Sequence, residues 1–183
     1  MSYLNKILIA HPNLNEPMFK RSVIYVYEKN SRGYCGVIVN KPGPADLGEI
    51  CHIKGYEAYN NYDEPVRIGG PVSRQALLML HSNEWCCDTT NPISANLSIT
   101  SDEIMLHKIT NGEEPYNWRL INGISAWVGD QLDREVKGIH PFSKETSWLV
   151  LDMDLDFLFS YDDEEQWEVG IEIASNQMVE QYF

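Results

Sequence analysis

The chain has 183 residues, with 14 Lys plus Arg against 27 Asp plus Glu, a formal net charge of −13, and 43% hydrophobic and 22% charged residues. That is the make-up of one folded domain spanning residues 1–183, and it excludes a disordered chain. No apolar run nears the roughly 20 residues of a membrane helix, and no basic cluster exists to displace counterions from phosphates, so neither membrane insertion nor direct nucleic-acid binding is expected.

In chain order, residues 1–12 hold an apolar run of only four residues and no small-residue cleavage site, so no signal peptide is expected. KILIA (6–10), SVIYVYE (22–28) and CGVIVN (35–40) are short, rich in Val and Ile, and bounded by turn residues, as strands should be. NSRGY (30–34) predicts a hairpin between the second and third. Asn40-Lys41-Pro42-Gly43-Pro44 must then leave the sheet, because proline cannot donate to a ladder. A short helix is expected over 46–54 and an irregular loop over 55–65, GYEAYNNYDEP.

PVRIGG and ALLMLHS read as two strands joined at Gly69-Gly70-Pro71, and LSIT (97–100) as another. Thr100 and Glu103 have capping-box spacing, predicting a helix over 101–110 that ends near Asn111-Gly112. WRLINGISAW (118–127) is a strand interrupted by Gly123. DQLDREVKG (130–138) is a helix with Asp130 as N-cap, Leu132 and Val136 on one face and Gly138 as its stop. WLVL (148–151) is a last strand, and QWEVGIEIASNQM a last helix.

The acidity belongs to one segment. Residues 1–144 balance at −2, whereas residues 145–183 hold no Lys or Arg and 11 acidic residues. Acidic and apolar residues interleave there, so the segment is expected to be folded and amphipathic. Two readings stand: Asp152, Asp154, Asp156, Asp162, Asp163, Glu164 and Glu165 attract a basic protein partner, or the surplus carboxylates only keep the chain soluble. As a strand, Asp152, Asp154 and Asp156 would share one solvated face that discourages edge-to-edge pairing. They lack the central Gly and final Glu of a calcium loop.

Candidate chemistry is sparse. Gly69-Gly70-Pro71 lacks the Gly-Lys-Ser/Thr of a phosphate loop, and either turns the chain tightly or lets a ligand approach closely. Arg21 can grip a carboxylate or phosphate, or pair internally. Asn40 can orient a ligand or bond backbone. His81 ends an apolar strand; a structural role there competes with a role as base or, with Cys86, as metal ligand. No HxH, HExxH or CxxC occurs, so no metal and no cofactor is expected. Ser125 lacks the second Gly of a nucleophile elbow, and Asp133 and Glu135, two apart on a helix, face apart. Cys35, Cys51, Cys86 and Cys87 read as reduced thiols of a cytoplasmic protein.

PNLNEPMFKRSVIYVYE, GYCGVIVNKP, VRIGGPV, LMLHS, ISAWVGDQLDREV and SWLV follow one another in an order and spacing that resemble the YqgE/AlgH family of small bacterial proteins. The resemblance runs from about residue 4 to about residue 170. It implies an α+β fold in which a bent, split, mostly antiparallel sheet curls into a partial barrel with helices packed outside. The family carries an old label of transcriptional regulator. Arg21-Ser22, His81 and the Trp127, Gly129, Gln131 cluster match family positions, which implies a cleft near Arg21, Ser22, Asn40, Gly69, Gly70, Pro71, His81, Trp127 and Gln131. Where the family shows Gly-Pro-Gly after the tryptophan, this chain has Val128-Gly129-Asp130, so the turn there is expected to be reshaped.

The first expectation is therefore a non-catalytic binding or regulatory protein that acts through protein contacts and has no catalytic residues. The alternative is an enzyme or small-ligand binder using the cleft. Direct DNA binding comes last, on charge.

Overall fold

The Val- and Ile-rich runs of the first 40 residues pair with one another and with the last strand of the chain. A computed structural model describes residues 1–57, 62–141 and 145–180; part of the expected 55–65 loop, residues 58–61, lies outside these. In it Lys6–Ala10 (β1), Val23–Asn30 (β2) and Gly33–Ile38 (β3) form antiparallel neighbours, and Trp148–Asp152 (β10) adds to the free edge of β1. Both faces of these strands are covered, which is why their sequences are continuously apolar instead of alternating. Ile7, Ile9, Val23 and Tyr25 face Phe157, Leu158 and Ala174, while Leu8, Ala10, Ile24 and Val26 face Trp127, Leu132 and Trp148. Each such fully buried aliphatic side chain contributes roughly 1.5–3 kcal/mol.

Beyond β3 come Pro42–Asp46 (β4), Leu47–Lys54 (α1), Pro65–Ile68 (β5), Val72–Ser82 (β6), Asn91–Pro92 (β7), Leu97–Thr100 (β8) and Ile104–Thr110 (α2). Trp118–Val128 (β9), Gln131–Lys137 (α3), Leu155–Phe159 (α4) and Asp163–Glu180 (α5) complete the described elements. The strands run in the order β10-β1-β2-β3-β9-β6-β8-β7, with β5 parallel to β9 and β4 antiparallel to β5.

Strand β9 splits the sheet. Its second half pairs with β3 through Ser125–Val128, and its first half pairs with β6 on one edge and β5 on the other. Gly123, with φ +77°, lets one unbroken strand of 11 residues bend between the two partnerships, so the predicted interruption is a bend. The sheet also curls. Were it flat, β9 and β10 would stand four strand spacings apart, about 19 Å, yet the rings of Trp127 on β9 and Trp148 on β10 are 6.1 Å apart. The result is the bent, split, mostly antiparallel partial barrel with helices outside.

Gly69 and Gly70 carry the chain across β9 from the β5 edge to the β6 edge. A Cβ on Gly69 would lie 2.3 Å from the Gly123 carbonyl oxygen, and one on Gly70 (φ +151°) 2.3 Å from that of Ile124. Their smallness is consumed by a backbone crossing.

Four expectations need correction. Pro42–Asp46 does not leave all pairing; it forms an irregular outer strand on β5, where prolines are tolerated because no ladder lies beyond. Thr100 does not cap α2: its hydroxyl is held inside the fold, and Asp102 Oδ1 accepts from Met105 N at 3.2 Å instead. Asp130 occupies the N-cap position of α3, but its side chain accepts from Arg134 Nε at 2.7 Å and makes no bond to the helix amides. Asp152, Asp154 and Asp156 share no strand face. Asp152 ends β10 and pairs with Lys6, whereas Asp154 caps α4 by accepting from Phe157 N at 2.7 Å and Asp156 lies in its first turn. An Asp followed by a hydrophobic stretch is an N-cap signal as well as a strand edge, and tertiary packing chose the helix. Among the described residues, no helix is long and apolar enough to cross a membrane.

Candidate functional site

The predicted cleft residues do not share one cavity. Pro71, Trp127 and Gln131 line a recess of about 280 Å³ together with Phe19, Trp148 and Glu135. There the indole N–H groups of Trp127 and Trp148 donate to Glu135 Oε2 at 2.9 and 2.8 Å, and Gln131 Nε2 donates to Oε1 at 2.8 Å. Helix α3 presents Gln131 and Glu135 on one face because they are four residues apart. Among the described residues Glu135 has no Lys or Arg partner. The reshaped turn costs little: Val128 ends the strand, Asp130 has φ −98°, and only Gly129 between them is left-handed (φ +56°).

Arg21, Ser22 and Asn40 sit apart from that recess. Arg21 (φ +56°) lies over the Trp167 ring at 4.7 Å and pairs with Glu168 at 2.6 Å, so the internal-pairing reading describes it. Asn40 Oδ1 accepts from Val23 N at 2.7 Å, and its Nδ2 donates to Arg21 O at 3.0 Å; the amide stitches backbone. Ser22 is fully buried, and its hydroxyl has no partner among the described residues.

His81 is sealed in the interior at 0% exposure. Its Nδ1 is 2.9 Å from Ser82 O, an acceptor, and its Nε2 is 2.9 Å from Thr100 Oγ1. The neutral ring with its proton on Nδ1 satisfies both, donating to the carbonyl and accepting from the hydroxyl. Burial pulls its pKa below the usual histidine value. All four cysteines are free, and among the described residues no group of three His, Cys, Asp or Glu stands close enough to hold a metal.

The acidic residues separate in the same way. Asp162, Asp163, Glu164 and Glu165 border a larger cavity of about 660 Å³ at the α4–α5 junction, walled by Trp118, Phe159 and Tyr161. Its floor holds two arginines that sequence reasoning missed. Arg67 and Arg119 are 7% and 3% exposed. Asp163 Oδ1 accepts from Arg67 Nε at 2.9 Å and from Arg119 Nη1 at 3.3 Å, and Arg67 also pairs with Glu64. Arg119 further donates to the carbonyls of Val39 and Tyr161 and to Gln166 Oε1 at 3.0 Å. Burial first, and the neighbouring Arg67 second, lower the Arg119 pKa to about 10. No local pattern marks these arginines; the only signal was a charge inside each of two apolar strands, VRI and WRLI.

Asp163 is thereby spent on the interior, whereas Asp162, Glu164 and Glu165 are exposed and form no direct ion pair among the described residues, although Asp162 lies within electrostatic reach of Arg119. A second recess, containing Glu114, Tyr116 and Asn117, shares Glu64, Trp118 and Phe159 with the first and prolongs it. Tyr116 is 88% exposed. The arrangement is a groove with aromatic walls and a carboxylate rim.

Comparisons with known proteins agree with this architecture. A UPF0301 protein of Aliivibrio salmonicida is 30% identical over 179 residues, covering 94% of this chain and 92% of that protein. One from Shewanella loihica is 28% identical over 174 residues, covering 93% and 90%. The solution structure of the AlgH protein from Pseudomonas aeruginosa superposes with a TM-score of 0.73 at 24% identity, over 91% of this chain and 85% of that one. The crystal structure of a Corynebacterium diphtheriae protein gives 0.69 at 17% identity, over 91% and 84%. At these identities the two structures speak for the fold. A family profile described as AlgH-like matches residues 7–178, nearly the whole described fold, and the chain belongs to that family.

Proposed function

We propose that the chain is a non-catalytic binding protein that receives a basic segment of a partner protein in the groove at the α4–α5 junction. The observation that carries this reading is the surplus of carboxylates over the two floor arginines, with exposed Asp162, Glu164 and Glu165 set beside the aromatic walls Trp118, Phe159 and Tyr161. The start of α5 offsets part of their charge through its helix dipole, but the effect is limited to the first turn and is screened. A Lys or Arg entering the groove gains ion pairing at the rim and a ring face beneath it, about 0.5–2 kcal/mol for each cation–π contact. A chain of net charge −13 also steers a basic partner at long range. Four free thiols fit a reducing, cytoplasmic setting for this encounter. Duplex DNA is not the proposed partner, since the same carboxylates repel phosphates.

The test is affinity purification from the native host with the wild-type chain and with an Asp162→Asn, Glu164→Gln, Glu165→Gln triple variant of equal thermal stability. A basic protein recovered by the first, cross-linked to residues 159–165, and lost by the second supports the reading. Identical recovery by both chains defeats it.

A further inference from the structure

A separate cavity of about 590 Å³ opens between α1 and the start of α2, and it shares no lining residue with the α4–α5 groove. That volume falls within the roughly 300–1,000 Å³ of pockets for small ligands. Ile50 and Ile53 of α1 line it from one side, Met105 and Leu106 of α2 from the other, and Leu77 of β6 lies between. This aliphatic surface is open, not consumed by packing. Ile53 is 80% exposed, and Ile50 and Leu77 are half-buried over a floor of buried Met105 and Leu106. Strand β6 contributes more than a wall. Val72 pairs with Ile124 and Leu77 with Asn122, so Ser73–Ala76 stand against Gly123 alone and bulge out of the ladder. Ser73 opens the bulge with φ +50°. Gln75 and Ala76 thereby reach the cavity with peptide groups released from pairing with β9, a device common beside binding sites.

The polar groups of the lining fall into two sets. The charged ones are committed: Lys54 pairs with Glu103, and Asp102 accepts from Thr89 N, Thr89 Oγ1 and Met105 N. The uncommitted ones are neutral, because the side chains of Gln75, Ser101 and Asn122 form no hydrogen bond among the described residues. A carboxamide donates and accepts at once, which is the complement of another amide. An anion would meet two carboxylates against one ammonium, and a cation would compete for carboxylates already bonded. A neutral amide finds free donors and acceptors beside an aliphatic floor. We infer that this cavity binds a neutral aliphatic amide, with its hydrocarbon on Ile53, Leu77 and Leu106 and its amide on Gln75 and Asn122. The source is either a free N-acyl amine or a leucine-bearing extended peptide segment, which present the same chemistry.

The experiment titrates the full chain with N-methylhexanamide and, separately, with Nα-acetyl-leucine methylamide. NMR follows the methyl groups of Ile53 and Leu77 and the side-chain NH2 groups of Gln75 and Asn122. Hexanoate and hexylammonium serve as charged controls, and N-methylacetamide as the head group without its hydrocarbon. Saturable movement of methyl and carboxamide signals together is expected from at least one amide, with binding several-fold tighter than either charged control. It should also be roughly tenfold or more tighter than N-methylacetamide, since burial of each methylene is worth about fourfold. The tighter of the two amides identifies the source. Asn122→Ala should weaken the binding; because Asn122 sits within the sheet, Gln75→Ala and Ile53→Ala at exposed positions are the decisive variants. Each is expected to weaken binding several-fold with the melting temperature held. Failure of both amides to move these signals, equal binding of a charged control or of N-methylacetamide, or unchanged binding in both Gln75→Ala and Ile53→Ala overturns the inference.

Discussion

Trp127 and Trp148 donate their indole N–H groups to the same oxygen, Glu135 Oε2, at 2.9 and 2.8 Å. The two tryptophans stand on β9 and β10, with β1, β2 and β3 between them in the sheet. One carboxylate on α3 thus clasps two strands that only the curl brings together. Glu135→Leu should leave both donors unpaired and cost about 2–4 kcal/mol in urea melts, whereas Glu135→Gln, which retains one acceptor oxygen, should cost about 1 kcal/mol. Equal losses in the two variants would show that the shared acceptor is not what matters.

The crossing of Gly69-Gly70 over β9 makes a steeper prediction. Gly70→Ala must push a Cβ against the Ile124 carbonyl from a left-handed backbone, and a cost above about 3 kcal/mol is expected. Thermal denaturation checks it; a fall in melting temperature of only a few degrees would mean the crossing relaxes readily.

Arg119 anchors the acidic C-terminal segment from beneath. Arg119→Met takes the donor from Gln166 Oε1 and from the Val39 and Tyr161 carbonyls and leaves Asp163 with Arg67 alone, and should cost about 2–4 kcal/mol. Arg119→Lys should recover only part of this, because an ammonium cannot reach the spread of acceptors that the guanidinium serves. Hydrogen exchange should report the loss first in α4 and α5, not in β1–β3.

His81 sets a pH dependence. Its folded pKa lies below the unfolded value near 6.5, so the unfolded chain binds the proton first as pH falls. Stability is therefore intact above about pH 7 and declines below 6.5, by at most about 1.4 kcal/mol per pH unit. Glu84 and Asp102, whose carboxyls are held low by hydrogen bonds despite partial burial, add their own losses only below their unfolded values of 4.5 and 3.8. His81→Gln should flatten the curve just below pH 6.5, whatever its absolute stability. A wild-type slope that survives the substitution would assign it to another histidine.

Association at the α4–α5 groove should be salt-sensitive. Raising ionic strength from roughly 50 to 500 mM is expected to slow capture of a basic partner by about tenfold or more, while dissociation changes less. Surface plasmon resonance separates the two rates, and a salt-independent on-rate would argue for an apolar contact instead.

Local signals carried much of the fold. The Val- and Ile-rich runs at β1, β2 and β3, the hairpin at residues 31–32, the helix stop at Gly138 and the strand at Trp148 all follow from short-range pattern and turn chemistry. The capping box of Asp46 and Glu49 was equally readable, though not singled out in the sequence. The separate fate of Asp152, Asp154 and Asp156 was not, because an alternating acidic stretch fits a strand edge and a helix start alike.

The site was the reverse. Composition alone determined that the chain is acidic, carries its negative charge toward the C-terminus and can fill a core, because these depend on counts and order. Only the tertiary structure decided that Glu135 meets two tryptophans, that Asp163 is spent on Arg67 and Arg119, and that Asp162, Glu164 and Glu165 are left facing outward. Asp163 lies 96 and 44 positions from its arginines, and Glu135, only 8 and 13 positions from its tryptophans, reaches them across three different elements, so no local preference encodes which side chains a curled sheet will bring within hydrogen-bonding reach.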